Sequence, residues 1–208
     1  MFGKIFITST GYDPQLGKHV KDPYLGPYPT LGACRPDIRE QLQQGDHIFV
    51  ISGRLPFVNQ FVMGGFEIAE KISACEAYSR FPHLRLSERE DGQVTGNVIV
   101  NAAGKQHELD HHKSFERRIE NYVVGKNLIV LSTAAEMAEG RRQTLEILRD
   151  VFEKNGDTPR AIIGRCSNLT DKQIHELRAH LGALKNTVRQ IRSAEVLRRW
   201  TEAARRVG

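Results

Sequence analysis

The sequence predicts an α+β protein, with strands in its first two thirds and helices in its last third. Three observations carry this. Apolar runs of strand length (KIFIT, HIFVIS, NVIVN) all fall before residue 132. Capping-box patterns, a hydroxyl residue followed three positions later by Glu or Gln, occur at Ser73–Glu76, Thr133–Glu136 and Thr170–Gln173. Successive strand-like runs lack crossover helices of the right length, which argues against a parallel βαβ sheet.

The first strand is read at Lys4–Thr8. The segment GYDPQLGKHVKDPYLGPYPTLGACRPD, residues 11–37, holds Pro14, Pro23, Pro27, Pro29 and Pro36 and cannot be regular structure, yet Tyr12, Tyr24, Leu25, Tyr28 and Leu31 suit packing over a surface. Residues 36–43 read as a short helix with Pro36 at its first position, stopped by Gly45-Asp46. His47–Ser52 is a buried strand, and Phe61–Ile72 a second, in which Gly64-Gly65 marks a bulge or a close backbone approach. A short helix follows Ser73, residues 82–96 are a polar excursion, and Asn97–Asn101 is another strand. Residues 105–120 suit a short helix or an ordered loop, and Tyr122–Val124 and Leu128–Leu131 are two strand-like runs around Gly125. A helix runs from Thr133 to about Lys154, ended by Asn155-Gly156, and Ala161–Gly164 reads as a last extended piece. The final helix carries Ile174, Leu177, Leu181, Leu184, Val188 and Ile191 on one stripe. These runs divide the chain into an α+β domain over 1–165 and a helical basic extension over 166–208.

The chain has 208 residues, 39% hydrophobic and 26% charged, ordinary for a soluble globular protein and too apolar for a disordered one. Cys34, Cys75 and Cys166 are too few and too scattered for a disulfide scaffold. No apolar run is long enough for a membrane span, and MFGKIFITST lacks the layout of a signal peptide. The expected compartment is therefore the cytoplasm. Residues 185–208 carry the whole net charge of +5, whereas residues 1–184 balance to zero. A basic arm on a neutral body points to a polyanion, with DNA the expected partner and RNA the second choice.

Motifs for catalysis are sparse. His107-Glu108-Leu109-Asp110-His111 fits the H-E-x-x-H spacing, which on a helix would put two imidazoles on one face for zinc. The context is poor for a buried helix, and no third ligand is marked. Asp110-His111-His112 is similar to a metal-phosphoesterase triplet, without the further strand-end aspartates. Cys34 precedes Arg35, a cation that would lower a thiol pKa, but no base is marked beside it. Neither a nucleophile elbow nor a Walker A loop is present. No metal or cofactor is expected.

What remains is a Gly-Asp turn feeding a buried strand, then a hairpin, a pattern found in small barrels that read nucleobases. The run GPYPTLGACRPDIREQLQQGDHIFVISG, followed by VMGGFEIAEKISACEAY and NVIVNAAG…HH…NYVVGKNLIVLS, resembles the second type of nucleotide modification associated domain. Thr30, Leu31, Cys34, Arg35, Pro36, Ile38, Arg39, Gly45 and Asp46 match its first block in order. The resemblance covers about residues 24–132, more loosely to about 185. GKNLIVLSTAAEM departs from the aromatic-rich run of that family, and the basic arm lies outside it. The resemblance implies a PUA-like small mixed β-barrel with peripheral helices, related to the EVE and ASCH barrels, to which the residues themselves add the helical C-terminal extension. Its implied setting is a bacterial or phage system that makes, reads or restricts modified DNA bases.

The candidate base-binding residues lie at strand ends and in the next polar cluster: Ser52, Gly53, Arg54, Met63, Gly64, Gly65, Asn101, His111, His112, Arg118, Asn121 and Tyr122. An Asn amide can pair bidentately with an adenine edge, and Tyr122 offers a ring for stacking. Candidate phosphate ligands are Arg35 and Arg39 beside Pro36, and Arg189, Arg192, Arg198 and Arg199 on the arm. Leu197 and Trp200 offer a homodimer contact through the C-terminal helices. The favoured function is a nucleic-acid-binding module that recognises a modified or flipped base. The alternatives are an enzyme acting on a nucleotide or DNA base through the His107–His112 cluster, and a structural dimerisation subunit.

Overall fold

The computed structural model describes residues 1–207; Gly208 and the side chains of Leu197 and residues 199–207 lie outside the description. The sequence readings that rest on Leu197, Arg199 and Trp200 therefore also lie outside it. The chain opens with strand β1 (Gly3–Gly11), passes a 3₁₀ turn, and reaches the short strand β2 (Thr30–Leu31) and helix α1 (Pro36–Gln41). Strands β3 (His47–Gly53) and β4 (Val62–Ile72) form a hairpin. Helix α2 (Ala74–Arg80) and a small ribbon of β5 (Ser87–Glu88) and β6 (Val94–Thr95) follow. Helix α3 (Phe115–Arg118) precedes strand β7 (Tyr122–Val130). Helices α4 (Ala134–Phe152) and α5 (Pro159–Ile163), strand β8 (Cys166–Leu169) and helix α6 (Asp171–Val207) complete the fold.

The architecture is α+β. One curled six-stranded sheet runs β2-β7-β4-β3-β1-β8, a half-barrel with β2 and β8 as its edges. Every residue of HIFVISG is buried because β3 lies inside the sheet and is covered on both faces, which is why Ile48–Ile51 reads as an unbroken apolar run. β3 pairs antiparallel with β4 but parallel with β1. The parallel pair corrects the expectation drawn from missing crossover helices. The irregular segment between Tyr12 and Asp46 makes the crossover itself. The expected bulge is present: register slips between Val50 and Ile51 opposite β4, and between Gly65 and Glu67 opposite β7. A Cβ on Gly64 (φ 154°) would lie 2.2 Å from the Ile129 carbonyl oxygen, so only glycine lets these strands meet.

Helices α4 and α6 share the main core with the sheet. Ile147, Leu148 and Val151 of α4 and Ile174, Leu177, Leu181, Leu184 and Val188 of α6 are buried with Ile5, Phe49 and Phe66. The Val62 N–H donates to the buried Thr144 hydroxyl at 2.9 Å, tying α4 to the sheet. Beyond Val188 the described side chains of α6, Ile191 included, are exposed, so the stripe ends one turn earlier than the periodicity suggests. At 37 residues α6 is about 55 Å long, from a 1.5 Å rise per residue. No helix among the described residues is long and apolar enough to cross a membrane.

The capping boxes at Thr133 and Thr170 form reciprocally, and the Ser73 hydroxyl caps α2. Four other expectations are corrected. Asn97–Asn101 is extended but joins no ladder; Val98 and Val100 make isolated bridges only. Ala161–Ile163 lies in helix α5 and Gly164 caps it, because Thr158 accepts from the Ala161 N–H and Pro159 occupies the first helical position. Helix α4 ends at Phe152 with Glu153 in the left-handed region, before Asn155-Gly156. The runs around Gly125 form one continuous strand, β7.

Candidate nucleotide-binding recess

A recess of about 980 Å³ opens where the second half of β1 and the segments around Ala33–Asp37, His112–Arg118 and Thr158–Arg165 converge. Its apolar surface comes from Phe6, Ile7, Ala33 and Pro36. Its charge is strongly positive: Arg35, Arg54, Lys113, Arg118, Arg160 and Arg165 line it against only Asp22 and Asp37.

One wall is fixed by Asp22. Its carboxylate accepts from the N–H groups of Gly32 (3.0 Å), Ala33 (3.0 Å) and Cys34 (2.5 Å), and from the Asn97 amide (2.8 Å). Three successive backbone donors converge on one anion, a nest filled by the protein's own side chain. Asn97 also donates to the Thr30 hydroxyl at 2.8 Å and accepts from Tyr122 Oη at 2.7 Å. The network is buried, so each of these groups needs the others.

Arg39 fastens the second wall to the first. It is 0% exposed and donates to the carbonyls of Cys34 (3.1 Å), Arg118 (3.0 Å), Glu120 (2.5 Å) and Asn121 (3.3 Å). Burial pushes its pKa down, and it is fully occupied by the chain itself. It is thus not available to a phosphate. Arg118 donates to both oxygens of Asp110 (2.7 and 3.0 Å) and to the Ala33 carbonyl (3.0 Å). Asp110 in turn lies 3.0 Å from His112 Nδ1. Burial works against its charge, but Arg118, His112 and Gln106 hold its carboxyl below the usual range.

Arg35 sits at φ 53° before α1, its guanidinium forked on Asp37 (2.9 and 2.7 Å) and lying 5.3 Å over the Phe6 ring. This planar cation, fixed along one edge, is a surface on which a base can stack. Arg54, Lys113, Arg160 and Arg165 are exposed at the rim and have no side-chain hydrogen bond or ion pair among the described residues. Cys34 also faces the recess. Burial, and then the Asp22 charge, push its thiol up to about 12, so the neighbouring Arg35 does not activate it. Arg35 spends its charge on Asp37 instead.

Of the residues singled out in the sequence, Arg35, Arg54, His112 and Arg118 meet in this recess. Ser52 and Gly53 lie just behind it: the Ser52 hydroxyl accepts from Phe61 N–H at 3.0 Å, and Gly53 N–H donates to the Thr8 hydroxyl at 2.8 Å. Met63 and Gly65 are buried in the sheet. Tyr122 is 1% exposed and stacked on Phe81, so its ring is a core element with no face for a base. Asn101 closes its own turn, accepting from the N–H groups of Ala103 and Lys105. Asn121 lies in a separate depression with Lys71 and Cys75. His111 is exposed outside the recess. Residues 107–111 form a turn, not a helix, so His107 and His111 do not share a helical face, and His107 accepts from the Leu109 N–H. Among the described residues no three His, Cys, Asp or Glu side chains gather in a metal-binding group. Arg189 and Arg192 are exposed on α6, and Arg198 is exposed but has a contact within the protein.

Sequence reasoning missed Lys113, Arg160, Arg165, Gln60 and the end of β1. Arg160 and Arg165 bracket the apolar run AIIG, which reads as a strand; the Thr158-Pro159 pair was the signal for a helix start there. Comparison of the chain with protein-family models, curated proteins and solved structures finds no match.

Proposed function

We propose that this protein is a PUA-like nucleic-acid-binding module whose recess receives a modified or flipped nucleotide of DNA. The observation that carries this is the rim: four unpartnered cations, Arg54, Lys113, Arg160 and Arg165, around an apolar floor with a fixed guanidinium. Cations without internal partners suit phosphates, and a flat, partly apolar recess suits a base taken out of its stack. A volume of about 980 Å³ is ample for a nucleotide. Arg189 and Arg192 on α6 supply a second, non-specific contact to the backbone, and α6 is the surface for a homodimer. The sequence resemblance supports a setting in bacterial or phage DNA modification or defence, in the cytoplasm.

One observation favours the enzyme reading as runner-up. His112 lines the recess with Asp110 on its Nδ1 at 3.0 Å, the arrangement of an oriented general base. It would act on the bound nucleotide, so both readings share one site.

The test is the affinity of the full chain for a fluorescein-labelled duplex, with and without modified bases, at two salt concentrations. Arg160→Ala/Arg165→Ala should weaken binding and flatten the salt slope by roughly 1.8, at about 0.9 for each phosphate no longer neutralised. An unchanged slope would remove the rim from the interface.

A further inference from the structure

The loop joining β3 to β4 carries the most exposed large apolar side chain among the described residues. Phe57 has a relative exposure of 107%. It also has φ 60°, in the left-handed region. The local sequence is Leu55-Pro56-Phe57-Val58, and the turn is closed by Val58 N–H donating to the Leu55 carbonyl at 3.4 Å. Proline followed by a positive φ is the order of a type II turn, whose third position ordinarily takes glycine or asparagine. Phenylalanine here buries nothing and strains the backbone. Neither term of folding accounts for it.

The loop is built to hold this ring out rather than let it collapse. At its base, Ser52 and Phe61 exchange backbone and side-chain hydrogen bonds at 2.9 and 3.0 Å, and the Gln60 amide donates to the Ser52 carbonyl at 2.7 Å. Leu55 packs onto the bare Cα of Gly11, where an added Cβ would lie 2.2 Å from Leu55 Cγ. Pro56 fixes the approach to the tip. The loop stands at the mouth of the recess, since Arg54 and Gln60, three residues to either side of Phe57, both line it.

We infer that Phe57 is a wedge that enters the base stack of a bound duplex and fills the place of the nucleotide drawn into the recess. The inference rests on the nucleic-acid reading above and names the means by which a paired base becomes accessible. An apolar side chain between base steps offsets the broken stacking, and the cations beside it, Arg54 foremost, hold the flanking phosphates in place. A protein partner would favour a broader apolar face than one ring on a loop at the mouth of a cationic recess.

The experiment uses the full chain and two forms of one oligonucleotide carrying 2-aminopurine, whose fluorescence rises when it leaves the stack. Binding is read separately by anisotropy of a terminal label. Wild type should bind the duplex and raise the 2-aminopurine signal several-fold. Phe57→Ala should lose that rise and bind the duplex roughly tenfold more weakly, within the range expected for removing one ring stacked on a base. It should bind the single strand as wild type does, which also shows that it is folded. Phe57→Leu should restore most of the rise. Unstacking by Phe57→Ala equal to wild type would overturn the wedge, as would duplex binding by wild type without any rise. Failure of wild type to bind either form would instead overturn the nucleic-acid reading, and the wedge with it.

Discussion

Replacing Asp22 by asparagine should loosen the recess from beneath. The carboxylate accepts two hydrogen bonds on each oxygen, from Gly32 N–H and Asn97 on one and from Ala33 and Cys34 N–H on the other. Asparagine offers one carbonyl oxygen and one NH₂. Whichever way the amide turns, two donors face another donor. A buried donor left unsatisfied costs about 1–3 kcal/mol, so the pair costs about 2–6 kcal/mol, with about 4 kcal/mol as the central value. Stability of a domain is about 5–15 kcal/mol in total. At about 2–4 °C per kcal/mol for a chain of this size, Tm should fall by roughly 8–16 °C in a thermal melt followed by circular dichroism. The same change removes a negative charge from a cationic recess, which alone would tighten phosphate binding. Lost positioning of the segment before Arg35 should win, and affinity for a duplex should fall at temperatures where the variant is folded. A Tm within about 3 °C of wild type, together with tighter binding, would refute the assigned role of Asp22.

Three further outcomes follow from the same geometry. Burial alone would raise the Glu136 carboxyl, but the N–H groups of Thr133 and Ser132 and the Lys185 ammonium hold it at about 2. Its folded pKa lies below its ordinary 4.5, so its contribution is complete above pH 4.5 and is lost as pH falls from there toward 2. Glu136→Gln should therefore lose up to about 3 kcal/mol at pH 7 and converge with wild type near pH 2 in urea titrations; a constant difference across that window would contradict the shift. Cys34 and Cys75 both reach the surface, but the Cys34 thiol, held at about 12, should alkylate at least about tenfold more slowly at pH 8 by mass-mapped labelling, and equal rates would contradict the raised pKa beside Asp22. Tyr122→Phe should cost about 1–2 kcal/mol through the missing bond to Asn97 and leave nucleic-acid affinity unchanged; weaker binding without loss of stability would return Tyr122 to the ligand.

The fold was legible where local signals and tertiary packing agree. Ile48–Ile51 is an unbroken apolar run because β3 lies inside the sheet, and Thr133 and Thr170 cap their helices through the pattern visible in sequence. NVIVN misled because Asn97 turns its side chain to Asp22, Thr30 and Tyr122, while the backbone beside it makes only single bridges. Cys166–Leu169 gave no strand signal: CSNL is short and polar, and it is a strand only because the edge of β1 is there to receive it. The site was half legible. Arg35, Arg54, His112 and Arg118 lie beside recognisable strand ends and turns. Arg160 and Arg165 join them only through the fold. Arg39 was legible as a cation, but nothing local marked it as buried, because its four carbonyl partners come from Cys34 and from residues 118–121.

The central claim is that nucleic acid is held at the recess and not by the basic arm alone. Amide hydrogen exchange of the full chain, with and without a short duplex carrying modified bases, tests this most directly. Protection is predicted in peptides covering residues 6–9, 33–37, 54–60, 112–118 and 158–165. Protection confined to peptides after Val188, with the recess segments unchanged, would contradict it.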